Sequence, residues 1–515
     1  MKGFLSAKRF GTEVKMQVTT FAAISIGSYE LEMKIFEISP QNGICEVDRI
    51  AHVVELGRDT YNKDKISFEM VDQLCDILYD FSNIMKGYKV KTYTACATSA
   101  IREAINSKSI LDRIKVRTGL DVTLLSNSEQ RFISYKAFSM RKNIVDQAMK
   151  ECTLLVDIGA GSAQITLFDK GRLITTQNIR LGVLRVRELL ARLAQNADRY
   201  KAILEEYIDN DLETFTKIFL EGYKVINIVG TGENISYLNI AHDDKPYVTK
   251  DEFLEIYEQL IRYSEEELAD KLDIPETHAS LMAPSLMLFA RLFSFTDAKK
   301  LWAPNVKFCD GLAVDYAQKN KLIKLKRDFN EEILSATRQI ASRYKCNEPH
   351  TRFVEMAALV IFDAMKKVHG LGERERLMLQ LAAIMHDSGK FVSLIYPSEA
   401  GYDIIMTSEI IGLSHEERLT VAKIIKYNAR DFDYTETTLM ESKLIAMLRL
   451  ANALDRSHRQ KMKDLKASLD GNELVLSTST YEDITLEYGL FKEKTELFED
   501  IYGVKPVLHQ RRMKK

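Results

Sequence analysis

The chain has 515 residues, too many for one hydrophobic core, and its 46% hydrophobic and 28% charged residues are ordinary for a soluble globular protein. A net charge of −2 gives no ground for a nucleic-acid or membrane partner, and no apolar run reaches the ~18 residues of a membrane span. Six cysteines, at 45, 75, 96, 152, 309 and 346, form no C-x-x-C pair and read as reduced, mostly buried thiols of a cytoplasmic protein.

Residues 1–20 read as a basic, poorly ordered leader without the apolar core of a signal peptide. From Phe21 to about Ile50 the pattern is strand, turn, strand, an Asn42-Gly43 turn and a third strand. Val71, Leu74, Leu78, Phe81 and Ile84 predict a helix over 67–86, and a strand follows over 90–95. Ala97-Thr98-Ser99-Ala100-Ile101-Arg102 opens a helix whose hydroxyl-bearing N-terminus suits an anion, with Arg102 to neutralise charge. A short strand over 122–125 ends in Ser126-Asn127-Ser128-Glu129. Two readings of Glu129 stand: it closes a capping box with Ser126, or its carboxylate directs a water at phosphorus.

The chain is organised around the stretch from Thr153 to Phe168. Leu154 to Val156 reads as a buried strand with Asp157 at its C-terminal end. Gly159, Ala160, Gly161 and Ser162 form a tight turn, and a second strand carries Ile165, Leu167 and Phe168. Such small residues let backbone N–H groups converge on a phosphate, and the adjacent carboxylate suits Mg²⁺; the alternative is a plain hairpin. The stretch from Phe21 to Phe36 aligns with it without a gap. Ile26 to Ile158, Gly27 to Gly159 and Phe36 to Phe168 are each 132 positions. Two copies predict two related lobes facing one cleft, the first offering a turn at Gly27 and Ser28. Ser25 occupies the place of Asp157.

The second copy continues with a strand over 172–179, then Leu181-Gly182-Val183 leading into a helix. A strand over 225–229 ends in Gly230-Thr231-Gly232, a third candidate phosphate turn. Helices fill much of 250–293, and a strand-to-helix unit over 301–316 carries Cys309-Asp310-Gly311-Leu312.

After about residue 322 the pattern becomes almost wholly helical to 460, and strands over 465–469, 474–477 and 484–488 precede a helix over 490–502. The expected organisation is a leader (1–20), lobe I (21–145), lobe II (146–320), an all-α domain (325–460) and a small α+β cap (463–515). His350, His386, Asp387 and Asp455 lie on several helices of the α domain and are predicted to converge on one divalent ion; otherwise they are packing residues. An adjacent His-Asp pair in an apolar helix is expensive to bury alone. Neighbours point about 100° apart, so both reach one metal only near a helix end or bend.

The ordered set Ile26-Gly27-Ser28, Ala97-Thr98-Ser99-Ala100-x-Arg102-x-Ala104, Leu125-Ser126-x-x-Glu129, Asp157-Ile158-Gly159-x-Gly161-Ser162, Leu181-Gly182-Val183, Gly230-Thr231-Gly232 and Asp310-Gly311-Leu312 resembles the exopolyphosphatase / guanosine-pentaphosphate phosphohydrolase (Ppx/GppA) family of the actin-like ATPase superfamily. The resemblance implies an α/β fold of two RNase H-like, actin-like lobes. It also implies removal of terminal phosphate from inorganic polyphosphate or guanosine penta- or tetraphosphate, with Mg²⁺ or Mn²⁺ in the interlobe cleft. Glu129 matches the family's catalytic glutamate and Asp157 a metal-linked carboxylate; homodimers are common in the family. This sequence departs from the pattern where Ser25, Tyr29 and Glu30 replace the first hairpin's acidic and small polar residues, and where Gln164 replaces a glutamate. The α domain resembles the HD phosphohydrolase superfamily. Between the His-Asp pair and Asp455 only His415 intervenes, and Asn428 stands where another histidine is expected, which implies one metal at most. A regulator that binds without turnover, and hydrolysis by the α domain, are the competing expectations.

Overall fold

The computed structural model describes residues 18–193, 200–238, 246–323 and 329–511. The expected leader lies outside the described residues as far as 17, and the first strand already begins at Thr19. The chain divides into two compact units. Met1–Leu124, Ile133–Met140 and Val306–Lys326 form the first; Leu125–Phe132, Arg141–Asn305 and Arg327–Lys515 form the second. These units do not follow the sequence boundaries at 145 and 320.

In the first unit, β1 (Thr19–Ile26), β2 (Glu30–Ser39), β3 (Gly43–Val53), β4 (Thr92–Ala97) and β5 (Val122–Leu124) form one sheet in the order β3-β2-β1-β4-β5. Phe21 to Ile24 are all fully buried, so β1 is covered on both faces, as a continuous apolar run requires. The helix Phe68–Gly87 turns Val71, Leu74, Leu78 and Phe81 into the same core as Ile24 and Leu31. The helix Phe308–Lys319 packs on β1 and β2, which is why the end of the expected second lobe joins this unit.

The second unit holds β6 (Thr153–Ile158), β7 (Ala163–Asp169), β8 (Arg172–Ile179), β9 (Asn227–Thr231), β10 (Tyr247–Thr249) and β11 (Lys300–Trp302), in the order β10-β11-β9-β6-β7-β8. The repeat survives at the level of register. Phe21 opposes Phe36 and Ile26 opposes Leu31; 132 positions on, Thr153 opposes Phe168 and Ile158 opposes Ala163. Both second strands shift register against the third at equivalent points, Ile35/Phe36 and Leu167/Phe168. β1 also lies parallel to β4 as β6 lies parallel to β9. A one-residue slip would move every side chain to the opposite face and break the packing there, so equal apolar patterns enforce equal registers.

The helices Phe329–Arg343, Glu348–Ala364, Glu373–Met385, Pro397–Thr407, His415–Ala429 and Leu439–Ala453 form the α-helical part, followed by β12 (Lys466–Asp470), β13 (Glu473–Ser479) and β14 (Lys505–Arg511). The strand expected over 484–488 is instead the start of a helix, Thr485–Tyr502. Asp483 accepts from the Thr485 N–H at 2.9 Å, and Glu487, Phe491 and Phe498 are buried at helical spacing, so tertiary burial overrides the β-branched local sequence. The third strand is β14, parallel to β13; Gly503, at φ 61°, ends the helix before it. Of the cysteines, Cys45 is exposed and Cys346 half-buried, and the other four are buried. No helix among the described residues is long and apolar enough to cross a membrane.

Candidate functional site

The β6–β7 turn is held so that it presents donors. Gly159 N–H donates to Ser162 O at 3.0 Å, Val183 N–H to Gly159 O at 3.1 Å, and the N–H groups of Leu184 and Arg185 to Ala160 O. Arg185 Nε donates to Gly161 O at 2.9 Å. All four turn carbonyls are therefore occupied, while the N–H groups of Ala160, Gly161 and Ser162 meet no backbone carbonyl among the described residues. A turn with its acceptors occupied and its donors free is an anion nest. Leu181-Gly182-Val183 explains itself here: a Cβ on Gly182 would stand 2.1 Å from the Gly161 carbonyl carbon.

Beside the turn runs a polar row across four strands. Thr231 pairs with Asp157, Asp157 with Gln164, and Gln164 with Asn178, which sets all four side chains on one face. Thr231 Oγ1, Gln164 Oε1 and Asn178 Oδ1 are buried without a hydrogen-bond partner. Gly232, at φ 103°, brings its backbone so close that a Cβ would lie 3.4 Å from Asp157 Oδ1 and 2.8 Å from Ile158 O. Orphaned oxygens next to a carboxylate fit the water shell of a hard cation such as Mg²⁺. Sequence reasoning reached Asp157 and Thr231; Asn178 carries no local signal.

In the equivalent turn of the first unit the carbonyls are likewise occupied, Ser28 O by Gly57 N–H and Tyr29 O by Val54 N–H, and the Ser28 hydroxyl is engaged by its neighbours as well. Gly27 N–H donates to Glu30 O at 2.9 Å. Ser28 Oγ lies 2.8 Å from Ser99 Oγ and accepts from Tyr61 Oη at 2.8 Å and from Ala100 N–H at 3.1 Å. Thr98 gives both its N–H and its hydroxyl to Ile26 O. The helix that begins there, Ser99–Glu103, is only five residues long, and Arg102 is half-buried on it.

Glu129 lies in the first turn of the helix Asn127–Ser139, and its Oε2 accepts from Ser126 N–H at 2.9 Å and Ser126 Oγ–H at 2.8 Å. Glu129 N–H returns a bond to Ser126 Oγ at 3.2 Å, which completes the expected capping box. One carboxylate oxygen serves the cap; the other makes no hydrogen bond to a described residue.

In the α-helical part the four anticipated residues come together. His350 Nδ1 lies 2.8 Å from Asp455 Oδ2, and His350 Nε2 lies 3.1 Å from His386 Nε2 and 3.9 Å from Asp387 Oδ2. His386 caps the helix Glu373–Met385, and Asp387 opens the 3₁₀ turn Ser388–Phe391, the helix end that neighbouring ligands require. His458, which the sequence reading missed, stacks on His350 at 3.6 Å between centroids. It sits at φ 56° three residues after Asp455, with its N–H on Asp455 O. Candidate ligand atoms of His350, Asp387 and His458 all lie within 4.8 Å of one another. Burial pushes the His386 imidazole down to about 4, so it is neutral at pH 7. Burial opposes the Asp387 charge, yet His386 and the Lys390 ammonium at 2.7 Å outweigh it and hold the carboxyl at about 2. His415 begins a helix and is exposed; Asn428 is buried with Oδ1 unpartnered.

The paired three-stranded hairpin units with their glycine turns define an actin-like ATPase fold. The Ppx/GppA phosphatase family model matches residues 35–301 and that of Ppx/GppA phosphatase domain III matches 334–492, so the chain belongs to the Ppx/GppA phosphatase family. A guanosine-5'-triphosphate,3'-diphosphate pyrophosphatase of Photobacterium profundum is 19% identical over 472 residues, covering 89% of this chain and 91% of its own. The enzyme of the same description from Vibrio atlanticus is 20% identical over 483 residues, covering 89% and 92%. The crystal structure of an exopolyphosphatase from Cytophaga hutchinsonii matches the fold at a TM-score of 0.51 and 19% identity, over 59% of this chain and 99% of that one.

Proposed function

We propose that this protein releases terminal phosphate from inorganic polyphosphate or guanosine pentaphosphate by water attack. The observation that carries the reading is the turn Gly159 to Ser162, whose carbonyls are all occupied and whose remaining N–H groups lie beside Asp157. Terminal phosphoryl oxygens accept from Ala160, Gly161 and Ser162, with Gly230 to Gly232 closing around Asp157. Asp157 would hold Mg²⁺ or Mn²⁺, with the unpartnered oxygens of Gln164 and Thr231 available to its bound water, and the ion would supply Lewis-acid polarisation of the phosphoryl group. Glu129 orients the attacking water and takes its proton on the oxygen that the cap leaves free, as the phosphoanhydride bond breaks. Glu129→Gln keeps the shape of the cap, so the protein should fold while phosphate release falls roughly 10²–10⁴-fold. An unchanged rate would assign Glu129 to capping alone.

A second reading, binding without turnover, is favoured by neutral Gln164 and by the engaged hydroxyls of the first turn. Polyphosphate bound tightly, with no phosphate released in either Mg²⁺ or Mn²⁺, would identify it.

A further inference from the structure

The turn that carries Glu129 is gripped by a loop of the α-helical part, between the helices Pro397–Thr407 and His415–Ala429. Ser128 Oγ–H donates to Leu413 O at 2.7 Å, and Ser126 Oγ, whose proton serves the cap, lies 3.2 Å from the same oxygen. Gly412 N–H donates to Ser128 O at 3.3 Å. Asn127 Nδ2–H donates to Glu409 Oε1 at 2.9 Å, and Arg131 Nη1–H donates to Glu409 Oε2. Three residues around Glu129, namely Asn127, Ser128 and Arg131, are thus tied to the five-residue stretch 409–413 nearly three hundred positions away, while the Glu129 carboxylate binds only within its own cap.

The loop is itself fixed. Arg374 donates to Gly412 O at 2.5 Å and forks onto Glu417 at 2.5 and 2.7 Å. Gly412 adopts φ 78°, and a Cβ there would stand 2.9 Å from Ile333 and 3.1 Å from Phe132. Ile410, Ile411 and Leu413 are fully buried.

The Arg131–Glu409 pair is a poor device for stability. Arg131 is 2% exposed, and its Nε and Nη2 have no partner. A half-satisfied buried guanidinium is readily matched in stability by apolar residues of similar volume. Its advantage over them is direction: a charge-assisted bond fixes rotation and depth of a helix N-terminus, which apolar contact does not.

We infer that Glu409, Leu413 and Arg131 are positioning residues that hold the Glu129 turn in register for water attack, making the α-helical part a component of the catalytic apparatus. The inference rests on the reading of Glu129 given above.

The test replaces the buried pair by apolar residues, Arg131→Met with Glu409→Leu, and measures phosphate release from polyphosphate with Mg²⁺. The expected result is an unfolding midpoint within a few degrees of wild type, an unchanged KM and a kcat lowered about 10–100-fold, the scale of an ångström-sized misplacement. Ser128→Ala, which removes one neutral bond, should lower kcat in the same sense by a smaller factor and serves alone if the double variant does not fold. The deciding measurement adds Glu129→Gln to the paired variant. Positioning that acts through Glu129 predicts no further loss beyond Glu129→Gln alone, whereas a separate structural effect multiplies. Wild-type kcat in the apolar-pair variant, or multiplicative losses, would overturn the inference while leaving Glu129 as the base. If Glu129→Gln itself keeps the wild-type rate, or wild type releases no phosphate, the catalytic reading fails first and the inference goes with it.

Discussion

Asp157 stands directly opposite Gln164 in the β6–β7 ladder, and in the same register 132 positions earlier Ser25 stands opposite Glu32. The acid has changed strands between the two copies. Glu32 is neutralised at home, with Arg49 Nε at 2.5 Å and Lys307 Nζ at 3.6 Å. Gln164 is 4% exposed and its Oε1 has no partner. One backbone frame therefore carries two unlike polar sites, and the one with an unpartnered buried side-chain oxygen is in the second unit.

Gln164→Glu should turn the Asp157 site into a carboxylate pair. Two anions this close repel unless a cation intervenes, so the metal-free variant should melt below wild type and Mg²⁺ should restore it. The Mg²⁺ concentration at half-maximal phosphate release should fall roughly tenfold, about 1.4 kcal/mol of added cation binding. Differential scanning fluorimetry across a Mg²⁺ series checks both; a variant as stable as wild type without metal would place the cation elsewhere.

Gly182→Ala should damage the phosphate turn without touching any polar group. Its Cβ would meet Gly161 C at 2.1 Å and Ser162 N at 2.3 Å, and both are backbone. Displacing packed backbone costs about 1–3 kcal/mol, read from urea unfolding, and binding of polyphosphate should weaken with it. Gly119→Ala, at an αL helix C-cap with no neighbour within 4 Å, should lose stability while retaining that binding.

The histidine–aspartate cluster is expected to take one divalent ion after addition of Mn²⁺, and to lose it in His350→Ala and His386→Ala. His458→Ala should weaken binding too, because its ring completes the set with His350 and Asp387. Lys390 occupies Asp387 Oδ2, so Lys390→Met should tighten binding by removing a competing cation. Elemental analysis after gel filtration reads all four, and equal metal in wild type and His386→Ala would reduce the cluster to packing.

Acid should weaken the fold through His369. Its Nε2 faces Phe362 O at 3.0 Å and its Nδ1 accepts from Leu371 N–H at 2.8 Å, an arrangement that requires the neutral ring. Burial lowers its pKa from 6.5, with Lys443 and Lys366 adding to the shift. The unfolded chain then binds more protons than the folded one, so this stability is present above about pH 6.5 and declines as pH falls towards the lowered value. Chemical denaturation between pH 7.5 and 5 should show a shallower decline in His369→Gln than in wild type.

Much of this molecule is legible in local pattern. The two hairpins, their common offset, the Ser126–Glu129 cap and the placing of His386-Asp387 at a helix end follow from residue spacing, because strand register and helix caps are short-range physics. The same local physics misread 484–488, where β-branched residues begin a helix because Glu487 is buried against Lys461 at 3.0 Å and Ser457 N–H at 3.3 Å. His458 leaves a trace only afterwards, as a left-handed residue just beyond Asp455.

What the amino-acid order determined by itself is the set of parts: which segments form strands and turns, where carboxylates and imidazoles stand on them, and hence the family. Which donors remain free is decided only in three dimensions. Gly159 to Ser162 and Gly27 to Glu30 share a register and both have their carbonyls engaged from elsewhere in the chain, by Val183, Leu184 and Arg185 in one and by Val54 and Gly57 in the other, but only in the first copy do Ser99, Tyr61 and Ala100 also engage the turn's hydroxyl. The partners of Glu409 are likewise 278 and 282 residues away. Hydrogen-bond satisfaction is a property of the whole packed interior, where each donor finds its acceptor among neighbours that chain order does not adjoin.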